Sequence, residues 1–163
     1  MFFLFLNADV GVQTEYMLDR CATKCKICTK GCIKCSKHCE DSLKDLVSKM
    51  HQEMLKVCIE KCKNCAQESF NCLKQCRLTK NKMDDKKALR KMQQNLAVCI
   101  DELKECEKVC KKCAYQCEIE RNRNPENDMV FMCIYECYDC ADLCIVCKKT
   151  CEEALAQVEK LLS

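Results

Sequence analysis

The chain has 163 residues, a length that fits one domain, and two Gly and one Pro leave little material for hairpin turns. Its 28 Lys and Arg and 25 Asp and Glu give a net charge of +3. The two signs are interspersed without a basic block, which argues against nucleic-acid binding. The 22 cysteines exceed the ~8–10% that is typical of disulfide scaffolds, so their arrangement decides the class of protein.

The chain begins with a short apolar run, Met1–Leu6, which turns polar at Asn7. A signal peptide needs roughly 7–15 apolar residues after a basic start, and a membrane span needs about 18 or more. We therefore expect this run to plug one end of the fold. We also expect a cytoplasmic protein that does not associate with a membrane, a compartment in which cysteines stay reduced.

Four segments repeat one spacing of cysteines. Steps of four and three residues average 3.5, the period of the buried seam in packed helices, so each segment is predicted to be a helix with an inward stripe of thiols. Ser69 and Leu103 occupy single positions in the second and third stripes and are predicted to be gaps. The stripes are Cys21, Cys25, Cys28, Cys32, Cys35 and Cys39; Cys58, Cys62, Cys65, Cys72 and Cys76; Cys99, Cys106, Cys110, Cys113 and Cys117; and Cys133, Cys137, Cys140, Cys144, Cys147 and Cys151.

Within each half of the chain, the two stripes are mirror images. The first pair is centred between Ser48 and Lys49, and the second on Pro125. An antiparallel hairpin needs this symmetry to bring its rows level. The sequence thus predicts an all-α, up-down-up-down four-helix bundle over residues 1–163, with helices around 10–40, 45–78, 85–120 and 127–161.

The turns are predicted from local signals. Arg121–Glu126 contains the only proline and forms a turn, Thr79–Asp85 links the two hairpins, and the first turn falls between residues 40 and 50. The predicted helix caps are Ser42 and Asp45 for the second helix and Asp84 or Asp85 for the third.

The stripes continue beyond the cysteines differently at the two ends of the bundle. The end that holds both termini is ordinary apolar core, formed by Leu18, Leu89, Met92, Leu96, Ala154, Val158 and Leu161. The opposite end, which we call the mouth, contains His38, Met50, His51, Met54, Met129 and Met132.

Thiolates select Cu(I), Zn and Fe–S clusters. Zinc requires four tetrahedral ligands, whereas one stripe offers only two thiols at one height. Cu(I) accepts two or three thiolates and tolerates bridging sulfurs, so the capacity would be on the order of one ion per cysteine, or ~22. The ferredoxin spacing that ends in Cys-Pro is absent.

Repeated Cys-x-x-x-Cys and Cys-x-x-Cys spacing on four amphipathic helices, over about residues 15–155, resembles the bacterial copper storage proteins. The run His38–Ser42 after the first stripe is similar to the end of that family's first helix. The resemblance implies Cu(I) storage by thiolates throughout the core, methionines that relay copper at the mouth, and assembly as a homo-oligomer, often a tetramer. His51 lies on the inward stripe and is predicted to admit copper, whereas His38 lies off the stripe and is more often a solvated residue.

Three alternatives stay open. The mirrored stripes also suit disulfides across helix hairpins, which would make the chain a braced interaction protein. A Zn or Cd thiolate buffer is the second alternative, and an unmetallated thiol core the third, since a free cysteine packs as a small hydrophobe. The mouth methionines equally suit core filling. No catalytic constellation is visible, so we expect a binding protein rather than an enzyme.

Overall fold

The computed structural model describes the backbone of residues 2–44 and 48–163, and the side chains of residues 9–44 and 48–163. The fold is an all-α four-helix bundle, as the cysteine spacing predicts. Its helices are α1 (Phe2–Leu43), α2 (Lys49–Lys80), α3 (Lys86–Arg123) and α4 (Asp128–Leu162).

The helices form a ring in which α1 packs on α2 and α4, and α3 packs on the same two neighbours. Contacts between α1 and α4 join Cys21 to Cys151 and Cys39 to Cys133, so residue numbers rise along one helix as they fall along the other. The same opposite order relates α2 to α3, where His51 meets Cys117 and Cys62 meets Cys110. This is the contact order of antiparallel neighbours.

The first turn lies between residues 40 and 50, as predicted, but the cap assigned to Ser42 is wrong. Ser42 lies inside α1, and its buried hydroxyl donates a hydrogen bond to the Met129 carbonyl at 3.2 Å. The true N-cap of α2 is Ser48, whose side chain accepts from the His51 amide. The other predicted cap, Asp45, lies outside the described residues.

The other helix starts follow ordinary capping chemistry. Asp85 Oδ1 accepts from the amides of Lys87 and Ala88 at 2.9 and 3.4 Å, which confirms one of the two predicted caps of α3. Asn127 performs the same role for α4, because its Oδ1 accepts hydrogen bonds from the amides of Met129 and Val130 at 3.1 and 3.2 Å. The predicted turn at Arg121–Glu126 is shorter than expected, because α3 continues to Arg123.

The end of the bundle near the termini is apolar core. Leu18, Leu96 and Val158 are fully buried, and Leu161 is partly buried against them. These residues close one end of the bundle and leave the sulfur stripes as the middle of its core. The predicted plug at Met1–Leu6 depends on side chains that lie outside the described residues.

Within the described ranges, no helix combines the length and the apolar character that crossing a bilayer requires.

Candidate metal centre

All 22 cysteines are buried and are free thiols. Every cysteine lies on the inward face of its helix, because the alternating steps of three and four residues keep each stripe facing the ring's centre. The thiols therefore form the core that Leu and Val build in an ordinary bundle.

The sulfurs of α1 and α4 face one another along a ladder that covers both stripes. Successive rungs are separated by about one helical turn, and each brings two sulfurs within van der Waals or weak hydrogen-bond distance. The Sγ–Sγ distances are 3.5 Å for Cys21–Cys151, 3.6 Å for Cys25–Cys147, 3.9 Å for Cys28–Cys144, 3.6 Å for Cys32–Cys140, 3.7 Å for Cys35–Cys137 and 3.6 Å for Cys39–Cys133.

The remaining stripes complete groups of four sulfurs that all lie within 4.8 Å of one another. Several of these quartets overlap, because Cys32 and Cys144 belong to two of them, as do Cys35 and Cys58. The buried thiols therefore form close clusters that can hold metal ions. Five quartets are Cys21, Cys25, Cys72 and Cys151; Cys28, Cys32, Cys65 and Cys144; Cys32, Cys106, Cys140 and Cys144; Cys35, Cys39, Cys58 and Cys137; and Cys35, Cys58, Cys62 and Cys110.

Contacts between two thiols shift their pKa values in opposite directions. Hydrogen bonds from Cys151 and Cys25 lower the pKa of the Cys21 thiol, whereas the pKa of Cys25 is raised, first by its contact with Cys147. Thiols in contact therefore titrate as coupled groups rather than independently. At the two ends of the sulfur core, neighbouring thiols and then burial raise the pKa of Cys76 and Cys117. A metal ion that binds here must displace protons.

His51 lies at the mouth end of the sulfur core and is fully buried. Its Nε2 is 3.2 Å from Cys117 Sγ, so the imidazole extends the row of sulfurs by one nitrogen ligand. Burial lowers the pKa of His51, and the charge of Glu120 partly opposes that shift. The ring is consequently held near neutrality, the state in which an imidazole binds metal.

Glu120 is the acidic partner of His51 and was not predicted. Its Oε2 is 3.7 Å from His51 Nδ1, which is buried and has no hydrogen-bond partner among the residues that the structure describes. The carboxylate is held by Ser48, whose amide and hydroxyl donate to it at 3.3 and 3.0 Å. A carboxylate beside a ligand histidine can orient the ring and select its tautomer. Glu120 follows Cys117 by three residues, the next stripe position, and this spacing could have identified it.

The other mouth residues lie around this group rather than in it. His38 Nε2 is 3.8 Å from Glu136 Oε1, at the partly exposed edge of the α1–α4 interface, so it is not brought to the sulfur core. Met50 and Met132 are exposed, whereas Met54 and Met129 are half-buried. Only the last two have the burial that the core-filling alternative requires.

The two predicted gaps are real interruptions of the sulfur rows. Ser69 and Leu103 are fully buried on the inward faces of α2 and α3. The Ser69 hydroxyl lies 4.0 Å from Cys65 Sγ, so it points along the stripe as a cysteine there would.

Comparison with protein-family models, with curated proteins and with solved structures finds no match to this chain. The resemblance to the copper storage proteins therefore stays a prediction from the spacing of the cysteines. The geometry of the core establishes a four-helix bundle whose buried thiol clusters can hold several metal ions.

Proposed function

We propose that this protein stores Cu(I) as thiolate clusters inside the bundle. The observation that carries the proposal is the overlap of the sulfur quartets, in which residues such as Cys32 and Cys35 each belong to two groups. A mononuclear zinc site uses four ligands of its own, so overlapping quartets cannot all be separate zinc sites at once, and zinc would have to share bridging sulfurs here. Cu(I) is a soft ion that two or three thiolates suffice to hold, and one sulfur can bridge two ions.

Charge gives independent support for a monovalent ion. A closed zinc site of four thiolates keeps a net charge of about −2, and buried charge without compensation is costly. One Cu(I) per thiolate leaves the core close to neutral. Since all 22 cysteines are buried, the neutral loading is on the order of one ion per cysteine, or ~22.

His51 is the proposed point of admission. It joins the sulfur rows through Cys117 at the end opposite the apolar core, and it is aligned by Glu120. A neutral imidazole can bind an arriving ion weakly and transfer it to the first thiolates. The half-buried Met54 and Met129 offer further soft ligands at the same end.

The test is an anaerobic titration of the fully reduced protein with Cu(I), in competition with a chromophoric chelator. Free thiols are counted beforehand with a thiol reagent under denaturing conditions. We expect about 20 tightly held ions per chain from thiols that are all free, with a thiolate-to-copper absorption band that rises linearly until saturation.

Two results would refute the proposal. Weak copper binding together with a few zinc or cadmium ions held tightly would favour the thiolate buffer. Few ions of any metal, with most thiols unreactive until a reductant is added, would favour the disulfide-braced bundle; the cross-helix distance of 3.5 Å between Cys21 and Cys151 is the observation behind that second candidate.

A further inference from the structure

The sulfur core is interrupted at one height. Cys62 of α2 meets Cys110 of α3 at 3.6 Å. Seven residues further along α2 is Ser69, and seven residues back along α3 is Leu103. Because the two helices run in opposite directions, both steps lead about 10.5 Å the same way. Ser69 and Leu103 therefore lie at the same height, facing each other across the α2–α3 interface.

At this height, only α1 and α4 carry sulfur, on the other side of the ring. Cys25 and Cys147 of α1 and α4 lie there, 3.6 Å apart. Two of the four core positions thus carry thiols, and the other two carry a hydroxyl and an isobutyl group. Leu103 is a fully buried apolar side chain, so it occupies the space where a bridging ion would sit.

The shortest thiol–thiol contacts follow this division of the core. On the side of the termini is an inner set of seven: Cys21, Cys25, Cys72, Cys76, Cys99, Cys147 and Cys151. On the mouth side is an outer set formed by the other 15 cysteines. Among the described residues, every thiol–thiol hydrogen bond of 4.0 Å or less falls within one set. One further contact crosses the boundary: Cys28 and Cys147 lie close enough to shift each other's pKa, which lowers the pKa of Cys28 and raises that of Cys147.

We propose that the core contains two separate Cu(I) sites: an outer cluster of 15 cysteines and an inner cluster of seven, divided by Ser69 and Leu103. This inference rests on the proposed function and adds to it that each cluster fills as a unit. The inner cluster is enclosed by Leu18, Leu96 and Ala154 at its far end, so copper admitted at the mouth reaches it through the outer cluster. Binding is not a redox step: each thiol that becomes a ligand releases one proton to solvent, and copper stays Cu(I).

The test maps which cysteines are protected during loading. Reduced protein is given increasing amounts of Cu(I) without oxygen, unfolded in urea together with iodoacetamide so that buried thiols without copper also react, digested and analysed by mass spectrometry. We expect two protection curves, one shared by the seven inner cysteines and one by the 15 outer ones. A single curve for all cysteines would overturn the division while leaving Cu(I) storage intact. No protection at any loading would instead refute Cu(I) storage, and the division with it.

Two double variants test whether Ser69 and Leu103 separate the two clusters. Ser69→Cys with Leu103→Cys restores unbroken sulfur rows, whereas Ser69→Ala with Leu103→Ala removes the same leucine without adding sulfur. Equal circular dichroism of the two variants verifies that both fold. The cysteine variant should merge the two curves into one, and the alanine variant should keep them apart. Two curves that are equally separated in both variants would contradict the role of Ser69 and Leu103.

Discussion

At the scale of single residues, the buried His51 makes the stability of the metal-free protein depend on pH. Burial lowers its pKa below the ordinary 6.5, so the unfolded chain binds a proton near pH 6.5 and the folded chain only at lower pH. Between those two values the unfolded state carries more protons. The contribution of His51 to the free energy of unfolding is therefore complete above about pH 6.5. It is lost as the pH falls from the unfolded to the folded pKa of His51, at up to ~1.4 kcal/mol per pH unit.

His51→Gln should remove this dependence. The measurement is the urea midpoint of reduced, metal-free protein at pH 7.5 and pH 5.5, for the wild type and the variant. We expect the wild type to lose more stability between the two conditions, since glutamine does not titrate. Equal losses would mean that His51 is already solvated and protonated in the folded protein.

If the protein stores Cu(I) as proposed, single residues should also control the rate of copper uptake. Replacing His51 by Gln and Met50, Met54, Met129 and Met132 by Leu should slow Cu(I) uptake, because the soft ligands at the mouth are lost. The number of ions bound at saturation should barely change, since the cysteines remain. Stopped-flow absorbance of the thiolate–copper band gives the rate, and the titration endpoint gives the capacity. A capacity that falls in proportion would make these residues storage ligands.

At the scale of helices, one glycine lies where α1 and α4 approach closely. A Cβ added to Gly31 would collide with the Leu143 side chain, whereas one added to Gly11 would meet nothing within 4 Å. Both glycines are in α1, so alanine gains the same helix propensity, up to ~1 kcal/mol, at either position.

We expect Gly11→Ala to stabilise the bundle by ~0.5–1 kcal/mol and Gly31→Ala to destabilise it by about 1 kcal/mol, because overpacking outweighs propensity. Urea unfolding of the reduced protein measures both changes. Leu143→Ala in the Gly31→Ala background should remove the overpacking term, which a double-mutant cycle isolates. Equal stabilisation by both alanines would mean that Leu143 simply rotates away.

Helix-scale features also show how far the sequence could predict the structure. The helices, their pairing and the inward face were predictable, because a period of 3.5 in cysteine permits only one buried stripe per helix. The N-cap of α2 was not, since Ser42 has a capping residue's chemistry but instead donates a hydrogen bond to the Met129 carbonyl of another helix. Glu120 was missed for a related reason: a charged residue is ordinarily assigned to solvent unless its partners, here Ser48 and His51, are known.

At the scale of the whole molecule, we expect the fold to form without metal. Neutral thiols pack as small hydrophobes, and neighbouring thiols and burial raise the pKa of those at both ends of the core, Cys76 and Cys117. We therefore expect the reduced, metal-free protein to be largely helical by far-ultraviolet circular dichroism at pH 7. A random-coil spectrum that becomes helical only on adding Cu(I) would show that metal binding drives folding instead.

If the proposed function is right, one bundle holds about one Cu(I) ion for each of its 22 thiols. The most direct test is a native mass spectrum of the reduced protein after incubation with equal excesses of Cu(I) and Zn(II) without oxygen. We expect a dominant species with about 20 copper ions per chain, with close to one proton displaced for each ion. A species with five or fewer zinc ions and little copper, or a chain that carries disulfides and no metal, would contradict it.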